Sequence, residues 1–185
     1  TNTDNSIIDP CCGDGSLLLG AYDRLIALGA SHETVCKNIM GVEIDDFAVK
    51  MCITRLLLRS PKEICDGQLS KIKYGDTFLS RDNIYNADIV LMNPPFIRYE
   101  NQGERPVPEN LKEYYKNKID EEFEEAVTLT GQPNLYNYYI EFVGNSMNDG
   151  GRLGLVLDNK WYHSKYGTNL RKYFLYNFKI LGIIE

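Results

Sequence analysis

The sequence has no apolar run of about 18 or more residues and no charged-then-apolar opening segment, so neither a membrane span nor a secretory signal is expected. Internal repeats and low-complexity tracts are missing too. The five cysteines, at positions 11, 12, 36, 52 and 65, form no C-x-x-C pair and stand near no histidine at zinc-finger spacing. A structural zinc site is therefore not expected, and Cys36, Cys52 and Cys65 read as small buried residues in a reducing compartment. Basic charge is in short supply: 20 Lys and Arg stand against 26 Asp and Glu, a net charge of −6. Phosphate neutralisation needs clustered cations, so any nucleic-acid partner would need a basic surface from elsewhere. What is present, 185 residues that are 43% hydrophobic and 25% charged, is ordinary globular composition, read as one soluble, cytoplasmic domain.

Short β-type runs alternate with helical-period runs along the whole chain, which predicts an α/β domain with a mainly parallel sheet. Ile7-Ile8-Asp9 ends a first strand, and Leu17, Leu18, Ala21, Leu25 and Leu28 recur at helical spacing before Gly29. Ile39 to Ile44 reads as a second strand and Asp46 to Leu58 as a second helix, capped by Asp45 or Asp46 and stopped at Ser60-Pro61. Ile72 to Tyr74 and Ala87 to Met92 follow as strands, the latter stopped by Pro94-Pro95. Residues 97–133 read as an irregular, charged, mobile insertion with a short helix near Asp120 to Glu125. Its Arg98, Tyr99, Arg105, Lys112, Tyr114, Tyr115, Lys116 and Lys118 are the residues there suited to DNA. Leu135 through Met147 suggests a helix ending at Asn148-Asp149-Gly150-Gly151, then a fifth strand at Leu153 to Leu157, a helix at Gly167 to Asn177 and a sixth strand at Ile180 to Ile184. An aliphatic edge strand is normally covered by another, so the chain reads as an excised fragment.

Four segments carry chemistry. Asp9-Pro10-Cys11-Cys12-Gly13-Asp14-Gly15 lies between a strand and a helix, where glycines let backbone approach a ligand. Leu18 stands where a dinucleotide site would have its third Gly, and no G-K-[ST] follows, so NAD and a phosphate loop lose support. An ordinary βα turn is the plain alternative. Glu43 ends the second strand, where a carboxylate can accept both hydroxyls of a ribose; otherwise it faces solvent while Asp45 caps a helix. Asp76, in Gly75-Asp76-Thr77-Phe78, can accept from the exocyclic amine of an adenine. The sharpest segment is Asn93-Pro94-Pro95-Phe96, because two prolines remove two N–H donors and leave a stiff, acceptor-rich turn with an aromatic behind it. That arrangement suits a neutral amine held against a π-face. His32, His163, Trp161 and the tyrosines at 136, 138 and 139 read as packing or surface residues.

Taken in order, these segments resemble the amino-methylating DNA methyltransferases, in particular the N6-adenine enzymes of type I and type IIG restriction-modification systems. Ile97-Arg98-Tyr99, Asn134-Leu135-Tyr136 and the stretch from Gly150-Gly151-Arg152-Leu153 through Trp161 to Leu170-Arg171 extend the likeness over nearly the whole chain. The resemblance implies a Rossmann-like class I S-adenosylmethionine-dependent methyltransferase fold with a mainly parallel sheet, here without its final strand hairpin. It implies that residues 1–185 are one catalytic-domain fragment, inactive by itself. It further implies that Asp9, Cys11, Gly13 and Gly15 line the methionine part of S-adenosylmethionine, with Asp9 near the ammonium. Glu43 would hold the ribose, Ile44 would pack on the adenine, and Asp76 with Phe78 would read its edge. Asn93 and the Pro94 carbonyl would accept the amine hydrogens of a target adenine, stiffened by Pro95, with Phe96 stacked on the base. No metal enters this scheme. Double-stranded DNA would be engaged through a target-recognition region missing here, with a specificity subunit or nuclease domain as possible associates and no membrane. Glutamine-protein and RNA-guanine methyltransferases carry a similar tetrapeptide, and a silent cofactor-binding module within a restriction complex is a further alternative.

Overall fold

The computed structural model describes residues 2–61, 71–79, 86–96, 109–122, 134–165 and 167–184, with side chains over 113–121 of the 109–122 helix. Cys65, Arg98, Tyr99, Arg105 and the side chain of Lys112 lie outside the described set. The chain divides into two compact units, Thr1–Asn93 with Ser146–Leu155, and Pro94–Asn145 with Val156–Glu185.

In the first unit, β1 (Ile7–Asp9), β2 (Ile39–Glu43), β3 (Ile72–Tyr74), β4 (Ala87–Met92) and β5 (Met147–Leu155) form one five-stranded sheet in the order β3-β2-β1-β4-β5. Each of its ladders is parallel. The order reverses at β1, which is where doubly wound sheets open a crevice at their carboxyl edge. Helices α1 (Ser16–Ala27), α2 (His32–Asn38) and α3 (Asp46–Leu57) accompany β1 to β3. Leu18, Leu25, Val35, Ile39, Cys52 and Leu56 are fully buried in a single core cluster. Truncating one such leucine to Ala costs about 2–5 kcal/mol, so this core fixes where the strand ends emerge.

Local signals explain most boundaries. Asp45, not Asp46, caps α3, its Oδ1 accepting from the N–H groups of Phe47 (2.8 Å) and Ala48 (3.3 Å). Gly29, with φ of 95°, follows the end of α1 as expected. Helix α2 was absent from the sequence reading: it is seven residues long, polar, and capped by Ser31, whose side chain accepts from Thr34 N–H. Strand β5 begins at Met147 and already contains the Asn148-Asp149-Gly150-Gly151 run expected at the end of the preceding helix, and it ends at Leu155, not Leu157. These residues form an irregularity inside the ladder, whose register jumps between Ala87 paired with Met147 and Ile89 paired with Arg152. Asn148 secures it by donating to Asp88 Oδ1 (2.8 Å) and to the Asn86 carbonyl (2.9 Å). That amide, together with the Ser6 N–H, holds the Asp88 carboxyl below its ordinary range.

The second unit holds α4 (Glu109–Glu122), α5 (Leu135–Ser146), α6 (Lys160–His163) and α7 (Thr168–Asn177), with the last residue of α5 belonging to the first unit. Helix α4 replaces the irregular chain expected over 97–133 within its own residues; residues 97–108 and 123–133 lie outside the described set. Among the described side chains of this helix, Tyr115 and Ile119, four residues apart, are buried, and Lys116–Asp120 and Lys118–Glu121 form ion pairs. The Tyr115 ring lies 6.4 Å from Tyr138 and 6.5 Å from Tyr139 of α5. Arg171 of α7 donates to the carbonyls of Trp161 (2.6 Å), Tyr162 (3.1 Å) and Ser164 (2.9 Å), closing the turn around α6. The sixth strand expected at Ile180 to Ile184 is not formed. Those residues are irregular and largely exposed, because no ladder partner stands beside them among the described residues. Among the described residues no helix is long and apolar enough to cross a membrane.

Candidate functional site

Ladder register brings three segments to one edge. Ile8 pairs with Met40 on one side and Val90 on the other, so Cys11, Glu43 and Asn93, each three residues further along, all emerge at the carboxyl edge. Glu43 pairs in turn with Tyr74, so Asp76 follows from the adjacent strand end.

The turns that follow these strands are tied together. Cys12 N–H donates to the Val42 carbonyl (3.0 Å) and Gly75 N–H to the Glu43 carbonyl (2.8 Å). Glu43 uses both carboxylate oxygens, Oε2 accepting from Gly13 N–H (2.9 Å) and Oε1 from Asp45 N–H (3.0 Å). Each oxygen keeps a second lone pair, as a ligand with two adjacent hydroxyls requires. The buried Thr77 hydroxyl donates to the Pro10 carbonyl, spanning 67 residues. Asp76 Oδ1 accepts from Phe78 N–H (2.9 Å), a local turn bond that holds its carboxylate in place.

Two glycines shape the first turn. Gly13 has φ of 51°, and a Cβ built on it meets nothing within 4 Å, so its backbone faces open space. Gly15, with φ of 86°, begins α1 without a side-chain cap, and a Cβ there would stand 2.5 Å from Cys52 Sγ. The first glycine leaves room for a ligand; the second lets α1 pack on α3.

Asp9 is only 1% exposed, and Cys11 N–H (3.0 Å) is the one donor to its carboxylate among the described residues. Burial raises its pKa to about 7, the Cys11 N–H opposes the rise, and the Glu43 charge adds to it. Burial and the charges of Asp9, Glu43 and Asp76 push the Cys11 thiol well up. Cys12, hydrogen-bonded to Cys52 and buried, is likewise held protonated. These thiols are inert as nucleophiles.

Around this polar cluster, Ile44, Phe47, Tyr74 and Leu79 are exposed apolar side chains, while Phe78 is fully buried. Asn93 is exposed at the end of β4. Pro94, Pro95 and Phe96 belong to the second unit, where Phe96 is 41% exposed and its ring stands edge-on to Tyr136, with centroids 6.1 Å apart. Two contributors escaped the sequence reading. Thr77 gave no signal, because its partner is remote in the chain, and Tyr136 was read as packing alone.

Comparison with known proteins decides the lineage: the N-6 DNA Methylase family matches residues 1–185, the whole chain. The chain belongs to that family. This N-6 DNA methylase chain is 24% identical over 188 residues to the type II methyltransferase M.BanIII of Aneurinibacillus aneurinilyticus, covering 96% of the chain and 29% of that relative. It thus spans less than a third of that relative's length. Its fold is that of the type IIG restriction endonuclease BpuSI (TM-score 0.66, 19% identity, 94% of this chain and 19% of that one). It is also that of a Listeria monocytogenes protein assigned to the class I S-adenosylmethionine-dependent methyltransferases (TM-score 0.60, 16% identity, 95% of this chain and 46% of that one).

Proposed function

We propose that this chain is the catalytic part of an enzyme that transfers a methyl group from S-adenosylmethionine to the exocyclic N6 of adenine in DNA, within a cytoplasmic restriction-modification system. The observation that carries the reading is the common edge at which the Gly13 gap, the Glu43 carboxylate, buried Asp9 and Asn93 emerge. The residues fit the cofactor's chemistry. Asp9 faces its ammonium, Glu43 uses its remaining lone pairs on the ribose hydroxyls, the backbone at Cys11 to Gly15 passes alongside, and Ile44 covers the adenine, whose edge meets Asp76. Phe78, being buried, supports that edge from behind and offers no ring face.

S-adenosylmethionine supplies an electrophilic methyl on a sulfonium. The residues of this chain prepare the nucleophile, a weak one because its lone pair is delocalised into the adenine ring. Accepting the two amine hydrogens at the Asn93 side-chain oxygen and the Pro94 carbonyl localises electron density on nitrogen. No strong base is required, since the amine proton becomes acidic only once nitrogen has been alkylated and is then lost to water. Extruding the base costs a few kcal/mol, which stacking on Phe96 offsets in part. Double-stranded DNA is recognised by parts of the gene product beyond these residues.

The test is to express the intact gene in a host lacking its own DNA methylation and to sequence modified bases. N6-methyladenine at a defined motif is expected, and Asn93→Ala should abolish it while cofactor affinity stays within about threefold, the interaction being one made to the reacting base. Methylation that survives the substitution rules out the role of Asn93. Unmodified DNA alongside methylated protein rules out the function.

A further inference from the structure

We propose that Tyr136 is a positioning residue for Phe96, holding its ring edge-on so that one face stays open to a planar base; this rests on the function proposed above. Two prolines stiffen the backbone before Phe96 but leave its side-chain torsions free, and an exposed phenylalanine without a brace would sample several rotamers. Phe96, 41% exposed, has a partner: the Tyr136 ring stands at 6.1 Å with an interplanar angle of 65°. A T-shaped contact engages only part of the Phe96 ring, and the residue's exposure leaves surface for stacking.

Tyr136 is suited to brace and not to stack. It is 6% exposed, so a base cannot lie flat on it. It sits in the first turn of α5, which is anchored at Asn134: the Oδ1 accepts from Leu135 N–H (2.7 Å) and the carbonyl from Asn137 N–H (3.0 Å). The ring is therefore fixed by a helix end and a buried environment, and it transmits that rigidity to an otherwise adjustable side chain. Ordering Phe96 before the base arrives removes an entropic cost from the extruded state.

The experiment uses the intact gene product with Tyr136→Phe, which keeps the ring, and Tyr136→Leu and the unbranched Tyr136→Met, which remove it. Turnover is measured on DNA with adenine at the target position of the motif identified by sequencing, and base extrusion on the same duplex with 2-aminopurine there. Tyr136→Phe should preserve turnover and the fluorescence rise of the extruded base. Tyr136→Leu and Tyr136→Met should lower kcat roughly 3- to 10-fold and reduce that rise, with cofactor affinity unchanged. In a Phe96→Leu background the same substitutions should add little, because their effect passes through residue 96. Equal losses in both backgrounds, or kcat and fluorescence within twofold of wild type for a folded Tyr136→Met protein, overturn the proposal while leaving the Asn93 result intact. A gene product that leaves DNA unmodified overturns the function and this role with it.

Discussion

If Asp9 receives the ammonium of S-adenosylmethionine as proposed, its pKa of about 7 makes that binding pH-dependent in a calculable way. If only ionised Asp9 accepts the ammonium, the apparent dissociation constant is the intrinsic one divided by the ionised fraction. That fraction is about one half at pH 7 and about one hundredth at pH 5, so affinity should fall roughly 50-fold over the window, about 2.3 kcal/mol. The ligand's own α-amino group keeps its proton below about pH 7.7, so the slope over pH 5 to 7 belongs to the protein. Calorimetric titration of S-adenosylmethionine in two buffers of different ionisation enthalpy should find about half a proton released per binding event at pH 7, rising toward one at pH 5. Asp9→Asn should bind weakly at every pH and lose that release. Folding responds with the opposite sign. The folded protein holds the Asp9 proton between about 3.8 and about 7, where the unfolded chain has lost it, so Asp9 opposes folding progressively as pH rises through that range, by up to roughly 4 kcal/mol. Denaturation of the ligand-free protein should show Asp9→Asn gaining over wild type between pH 5 and 7. Binding that is flat with pH, or a proton release that survives in Asp9→Asn, refutes the assignment of the cation seat.

Gly15→Ala should cost roughly 2–4 kcal/mol, combining a left-handed φ with a collision at Cys52 Sγ; Cys52→Ala should recover the collision part, and a change in denaturant midpoint equivalent to less than about 0.5 kcal/mol would contradict the packing described. Thr77→Val leaves the Pro10 carbonyl buried without its donor and should cost about 1–3 kcal/mol while weakening cofactor binding; Thr77→Ser should restore both, and a Val variant as stable as wild type would show the bond to be dispensable.

The strands that position the site were readable because each is a short aliphatic run closed by turn chemistry, as Ala87 to Met92 is closed by two prolines. Helix α4 was hidden because its few apolar residues, Leu111, Tyr115 and Ile119 at four-residue spacing, stand in a largely charged stretch whose i,i+4 pairs support the helix without marking it. The Asn-Asp-Gly-Gly run misled because the same residues serve a turn or an irregular ladder, and Asp88 and Asn86, some 60 residues away in sequence, decide between them. The aliphatic run at 180–184 misled in the other direction, since strand propensity means little without a neighbouring strand. At the site, the acids after β1, β2 and β3 could be named from position alone. Their employment could not: the sequence does not say that Glu43 is already bonded to Gly13 and Asp45, or that Cys11 N–H donates to a buried Asp9.

The bonds that join the turns after β1, β2 and β3 have an evolutionary consequence. Glu43 serves two loops through its side chain and a third through its carbonyl, and Thr77 serves a proline that has no N–H of its own. Changes in these loops should therefore be epistatic. Drift in this part of the family should proceed by compensated pairs, and a loop transplanted singly from a relative should fit worse than all three transferred as a set.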